Sequence, residues 1–247
     1  MNLPDTLRTL EKAGSEQTRK TYARHGVKGP MFGVSYATLG TLKKKIKTDH
    51  PLAKQLWSSG NHDARVLATM IADPTQMSDA DLESWIGQLE DKVLTDAVAC
   101  VAAGAPGARR KMQQWINSTD ECTSTAGWNI FCRLAMHPGV FQPAELQTML
   151  KRIEKDIHAA PNRARYAMNN GLIAIGMHGG ELKDKAIAAA KRIGRVEVDH
   201  GDTNCQTPDA AAYIVKALEH RARSPKKTTV RSAKKPARKP AKAAGRR

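Results

Sequence analysis

Apolar residues recur at three- and four-residue spacing along most of this chain, and no run alternates apolar and polar over a useful length. Ser35 precedes a face made by Leu39, Leu42 and Ile46. Pro51 stands at a first-turn position, and Gly60 closes the segment it opens. Asn61 introduces Val66, Leu67, Met70 and Ile71, and Ser78 introduces Leu82, Trp85, Ile86 and Leu89. Residues 93–101 are nearly all apolar and are expected to form a buried helix. Further helices are expected over 107–116, through Trp128, Ile130, Phe131 and Leu134, and over 143–157, 162–177 and 182–193. Thr207, Pro208 and Asp209 read as a cap, a first-turn proline and an acidic early turn, opening a last helix through Tyr213, Val215 and Leu218. Residues 195–200 are the only strand-like stretch.

From residue 78 onward the expected helices fall into pairs, a charged outer one followed by a more apolar inner one. The pairs are 78–90 with 92–104, 107–117 with 120–136, and 143–158 with 162–178. Their spacing, about 30 to 40 residues, is that of HEAT-type repeats. The fold expected is therefore all-α, a HEAT-like or armadillo-type superhelical solenoid over residues 1–222. A compact helical bundle without a groove is the alternative.

Charge changes the picture at one end. The first 220 residues hold 28 Lys or Arg and 24 Asp or Glu, a net of +4. The last 27 hold twelve basic residues and no acid, which brings the chain to +16. The tail lacks helical apolar spacing, and its prolines at 225, 236 and 240 break helices, so residues 223–247 are expected to be a disordered basic tail. A flexible polycation releases condensed counterions along phosphates, so the expected partner is double-stranded DNA, with Lys226, Lys227, Lys234, Lys235, Arg238 and Lys239 among the contacts. Ser224, Pro225, Lys226 and Lys227 resemble the SPKK element of histone-like tails. A tail that merely solubilises, or binds any polyanion, is the plainer alternative.

The N-terminus lacks an apolar signal-peptide core, and no stretch approaches the roughly 20 apolar residues of a membrane span. Four cysteines without CxxC spacing fit a reducing compartment. The expectation is a cytoplasmic monomer associated with the nucleoid, or a nuclear one in a eukaryote, that touches no membrane. No cofactor and no metal are expected. Asp199, His200, Asp202 and Cys205 could ligate, but their spacing matches no common zinc pattern, and a loop knotted by hydrogen bonds is the better reading.

Four stretches stand out: 24–34, glycine-rich with a basic entry; 56–65; 93–98, with Asp96 alone in an apolar run; and 158–171, holding Asn162, Arg163 and Arg165. With residues 22–27, 56–68, 94–97, 158–169 and 198–210, the chain resembles the DNA alkylation repair family of HEAT-like proteins, which includes 3-methyladenine and 7-methylguanine DNA glycosylases. The resemblance covers about residues 15–222. It implies cleavage of the N-glycosidic bond of N3- or N7-alkylated purines, with Asp96 at the position of the family's catalytic aspartate. An alkylated purine is a cationic leaving group, and a carboxylate stabilises the oxocarbenium-like sugar left behind.

The chain departs from the active pattern. Where active members carry a tryptophan one turn before the aspartate, this chain has Asp91 or Lys92. Where they carry a second, it has Asn169 or Asn170. The family's arginine position holds Thr125, with Arg133 two turns on, and Trp128 is a candidate to fill the aromatic place from another turn. For Asp96 a second reading stands, as a helix cap or loop acceptor. Asn162 is expected to cap a helix whose first turn carries Arg163 and Arg165, an anion site or in part an internal salt bridge. Lys43 and Lys47 share a helical face with no acid before them, which suits phosphate contact or plain solvation. Three functions follow: a metal-free glycosylase, a non-catalytic protein that binds distorted or branched DNA, and a helical scaffold tethered by its tail.

Overall fold

A computed structural model describes residues 1–223, and among these every regular element is helical. The basic tail from residue 224, with Lys226, Lys227, Lys234, Lys235, Arg238 and Lys239, lies outside the described residues.

Two helices open the chain that the apolar pattern from Ser35 onward does not include: α1 (Leu3–Lys12) and α2 (Glu16–Arg24). Each is fixed by a local cap. The Asp5 amide donates to Asn2 Oδ1 at 2.9 Å, and the Thr18 amide to Ser15 Oγ at 3.2 Å. After a loop over residues 25–35 come α3 (Tyr36–Ile46), α4 (His50–Ser58) and α5 (His62–Ile71). A single 3₁₀ turn, Pro74–Gln76, leads to α6 (Asp79–Ile86) and α7 (Lys92–Ala103). Then follow α8 (Ala108–Trp115), α9 (Glu121–Ala135), α10 (Pro143–Asp156) and α11 (Asn162–Gly176). The chain closes with α12 (Gly180–Ile193) and α13 (Ala210–Arg223).

The helices stack as antiparallel pairs. Inner helices α5, α7, α9, α11 and α13 each pack on the next, and outer helices such as α10 and α12 back them. The pairing begins with α4 and α5, one pair earlier than the apolar pattern suggested. One continuous core runs the length of the stack, from Leu10 through Leu67, Val98 and Phe131 to Ile214. All four tryptophans lie in it, each at most 3 % exposed. Trp57 and Trp85 stack with ring centroids 4.2 Å apart, and Arg65 lies over Trp57. At Gly127 the backbone of α9 touches the end of α8 so closely that a Cβ would sit 2.5 Å from the Ile116 nitrogen. That approach sets how tightly one pair nests and admits only glycine.

The inner helices start at the same edge of the stack, and most start on an Asx cap. Asn61 accepts from Ala64, Asp91 from Val93 and Leu94, and Asp120 from Thr123. Helix α11 differs: it begins after Pro161 with no side-chain cap, and Glu121 Oε1 of the preceding inner helix accepts its Arg163 amide at 2.8 Å. Asn162 is thus the first helical residue and not a cap, because its side chain is turned to the loop after α12. At α13 the cap is Asp209, whose Oδ1 accepts the Ala212 amide at 2.9 Å, and not Thr207. Residues 195–200 form no strand; they are extended coil without a partner strand.

Candidate nucleic-acid interface

The 56–65 motif turns out to build the entrance of the fold. Asp63 is completely buried, and its two oxygens accept the amides of Phe32, Gly33 and Val34 at 2.7 to 3.0 Å. Three converging backbone donors satisfy a side chain that burial would otherwise leave without partners. Gly33 has φ 79°, and a Cβ there would collide with the Ser15 carbonyl and Arg19. His62, 3 % exposed, packs edge-on against Tyr22 and sits 3.4 Å from Asp91. The Tyr22 hydroxyl donates to the Val34 carbonyl at 2.6 Å, and its burial, with the nearby Asp63 charge, raises its pKa. The loop at 25–35 is thereby fastened over the start of the inner layer.

The 158–171 motif fastens a second loop, a strap over residues 194–209 that joins α12 to α13. Asn162 pairs with the backbone of Asp199 in both directions, at 2.7 and 2.8 Å. Arg165 donates to the Glu197 carbonyl at 3.0 Å, Asn169 to that of Pro208 at 3.0 Å, and the His158 ring meets that of Ile193 at 2.9 Å. The strap also knots itself: Gly201 donates to Asp199, Thr203 to the His200 carbonyl, and His200 meets Thr207.

Between these two loops the concave face opens into a cleft of about 680 Å³. Its floor comes from the inner helices. Asp96, Thr125 and Tyr166 are each the fifth residue of α7, α9 and α11, and Asn129 and Asn170 are the ninth of theirs. Lys92, Arg133 and Arg163 line it too, while Tyr36 and His25 form one wall and His200 and Cys205 of the strap the other. Of the positions aligned with the active pattern, Lys92, Thr125 and Asn170 line the cleft with Asp96, as does Arg133 two turns beyond Thr125, whereas Asp91 caps α7 and Asn169 is bonded to the Pro208 carbonyl. Trp128 does not line it; it is 2 % exposed and packed edge-on against Phe131.

Asp96 is not the cap of α7, since Asp91 holds that place. Its carboxylate reaches solvent inside the cleft and accepts from Asn129 Nδ2 at 2.6 Å. Desolvation in the cleft raises its pKa, against the opposing pull of that bond and of Arg133, Arg163 and Lys92. The cations leave the converse mark on their neighbours. Burial lowers the pKa of Lys92, and Arg163 lowers it further. Burial, Lys92, Arg24 and Arg163 lower that of His25, and burial, Arg163 and Lys92 lower that of His200. Both imidazoles are pushed toward the neutral form, and by formal count Lys92, Arg133 and Arg163 against Asp96 leave the lining at +2.

The remaining expected contacts fall elsewhere. Arg163 lines the cleft while Arg165, two residues on, faces the strap side, so the pair splays. With its amide taken by Glu121, the start of α11 is no open anion site. Lys43 is exposed on α3, seven residues beyond Tyr36 and on the same face, about 10 Å further along the helix. Lys47 is exposed but has left the helix as its C-cap, with φ 66°, so it does not share the Lys43 face. Tyr36, Tyr166 and Asn129 were not expected at the site; aligning the inner helices on their first residues finds Tyr166 and Asn129. His200 and Cys205 were expected only in a loop knotted by hydrogen bonds, and the structure adds their place on the cleft wall. Among the described residues no cluster of three His, Cys, Asp or Glu side chains could hold a metal, and no helix is long and apolar enough to cross a membrane.

The comparisons agree with this geometry. A solved structure described as belonging to a new family related to the HEAT-like repeat DNA glycosylases, with affinity for branched DNA structures, superposes with a TM-score of 0.81 at 33% identity. The match covers 89% of this chain and 95% of that one. Proteins of Listeria innocua and Listeria monocytogenes, both described as uncharacterised, are each 30% identical over 217 residues, 84% of this chain and 93% of theirs. The profile of the DNA alkylation repair enzymes matches residues 6–235. The chain belongs to the DNA alkylation repair family and carries its HEAT-like repeat fold.

Proposed function

We propose that this protein binds branched or distorted duplex DNA along its concave face, as a single copy, and recognises DNA shape without excising a base. The observation that carries this reading is the cleft itself, where Lys92, Arg133 and Arg163 surround one carboxylate and no tryptophan is present. A positive cleft attracts phosphate and repels a cationic alkylpurine. It also opposes the positive charge that develops on the sugar when the N-glycosidic bond breaks. Lys43 extends the basic surface past the cleft edge, and Tyr36 and Tyr166 offer faces on which an unpaired base can stack. Asn162 and Arg165 act by holding the strap, not by touching phosphate. The basic tail adds affinity without selectivity and keeps the protein on the nucleoid in a bacterial cell. The solved relative's affinity for branched DNA supports the same reading.

The test compares a four-way junction with a linear duplex of equal length, for the full chain and for a chain ending at Arg223. A preference for the junction that survives removal of the tail is expected. Equal affinity for both DNAs in both proteins rejects the reading.

Excision is the second reading, favoured by the solvent-open Asp96 carboxylate held by Asn129. It predicts abasic sites in methylated duplex with the wild type and none with Asp96→Asn. Asp96→Asn should instead bind DNA more tightly if the first reading holds, because it removes the one negative charge from the cleft.

A further inference from the structure

We infer that the cleft seats the terminal phosphomonoester of an unpaired DNA strand, gripped by Lys92, Arg133 and Arg163 and by the hydroxyl of Thr125. The inference rests on the DNA-binding reading above and names what that site holds.

Size is the first constraint. A cleft of about 680 Å³ falls within the roughly 300 to 1,000 Å³ of small-ligand sites, so it admits one nucleotide or a strand end, not a duplex. Charge is the second. The site carries +2, against a phosphomonoester of about −1.5 to −2 near neutral pH and an internal phosphodiester of −1. One terminal group balances it alone, where internal phosphates would have to enter in twos, and the cleft has room for one nucleotide.

The third observation is Thr125. The residue borders the cleft with 5 % of its surface exposed, and its Oγ1 is shielded and without a hydrogen-bond partner. Buried hydroxyls are ordinarily paired, so this one gains a partner when a turn of the side chain brings it to a phosphate oxygen in the cleft. Lys92, Thr125 and Arg163 also share the rim of a smaller adjoining cavity of about 160 Å³, which places the three at one corner of the cleft. Glu90, Asp91 and Glu121 line that smaller cavity and oppose an anion in it, so the phosphate is placed on the cleft side, where Arg133 adds to Lys92 and Arg163. Two of them already have partners, Asp91 in the α7 cap and Glu121 in the Arg163 amide. With the phosphate in that corner, Tyr36 and Tyr166 stand on either side for the terminal sugar or base.

The test uses the full chain and flapped duplexes alike except at the flap end, which carries a 5′-phosphate, 5′-hydroxyl, 3′-phosphate or 3′-hydroxyl. A junction closed by hairpin loops, with no free end, reports DNA binding by itself. One phosphorylated flap should bind about tenfold or more tighter than its hydroxyl counterpart, the size of one added charge-assisted hydrogen bond, and which one it is gives the strand polarity. Arg163→Gln should bring that ratio close to one. Thr125→Val, of nearly the same shape and safe for folding, should reduce it. Equal binding of phosphate and hydroxyl ends, with the closed junction still bound, overturns this inference alone. Failure to bind any of these DNAs overturns it together with the reading beneath it. A phosphate preference unchanged in both variants removes it from this corner of the cleft.

Discussion

The two loops that border the cleft are fastened differently. The loop at 25–35 is centred on one buried side chain, Asp63, which takes three amides at once, and it is backed by bonds from Tyr22 to the Val34 carbonyl, from Arg19 to that of Phe32, from Ser15 to that of Gly33 and from His62 to that of Pro30. The strap at 194–209 is held by four separate neutral or solvent-touching contacts from Asn162, Arg165, Asn169 and His158. The first loop turns on a buried centre whose loss frees three amides together, whereas each strap contact can be lost without the others.

The largest effect should come from Asp63. Asp63→Ala leaves three amides without their acceptor, and a loss of about 3–5 kcal/mol is expected, read from the urea midpoint of unfolding. A loss below about 1 kcal/mol would mean that water replaces the carboxylate, and the contrast between the loops would collapse. On the strap, Asn162→Ala should make local opening of the strap easier by about 1–2 kcal/mol, since two backbone groups lose a partner but both reach water. Its signature is faster amide exchange confined to residues 194–209, with little change in the global midpoint. Loss of protection throughout α11 would make the strap part of the core and not a loop that opens by itself.

The smallest effect concerns Asp96. Its pKa is raised in the folded chain, so the folded state holds that proton more tightly than the unfolded state. This contribution to stability is full below the ordinary carboxyl value of 3.8 and is lost as pH rises through the raised one. Asp96→Asn fixes the uncharged form. Its unfolding midpoint should equal or slightly exceed that of the wild type at pH 7, and the gap should close as pH falls toward about 4. A clear destabilisation at pH 7 would make Asp96 a structural residue held by Asn129.

Periodicity carried most of the architecture from Ser35 onward, because each helix buries one face and opens on a polar cap. The exceptions share a cause. Helix α1 has its signals, Asn2, Pro4 and the Leu3, Leu7, Leu10 face, but its short apolar stripe reads as readily as an ordinary polar terminus. At Asn162 the local pattern of a cap was genuine, yet a partner 37 residues away, Asp199, claimed the side chain. Tryptophans are equally at home in a core or a cleft, and only packing showed that Trp128 belongs beside Phe131. Asp96 was legible as an odd acid in an apolar run, and Lys92, Thr125, Arg133, Arg163 and Asn170 were named from the resemblance or the charge pattern. Tyr36, Tyr166 and Asn129 were not, because they come from three helices and the low similarity between pairs hides the common positions that the last two occupy. His200 and Cys205 stood out as polar loop residues, but loops obey no period and their place on the cleft wall had no signal.

The bond between Glu121 and the Arg163 amide has a direction in time. The acceptor lies 42 residues before the donor, so a growing chain makes the acceptor first. The first turn of α11 is thus completed by a helix made before it, whereas α5, α7, α9 and α13 each bring their own cap with them.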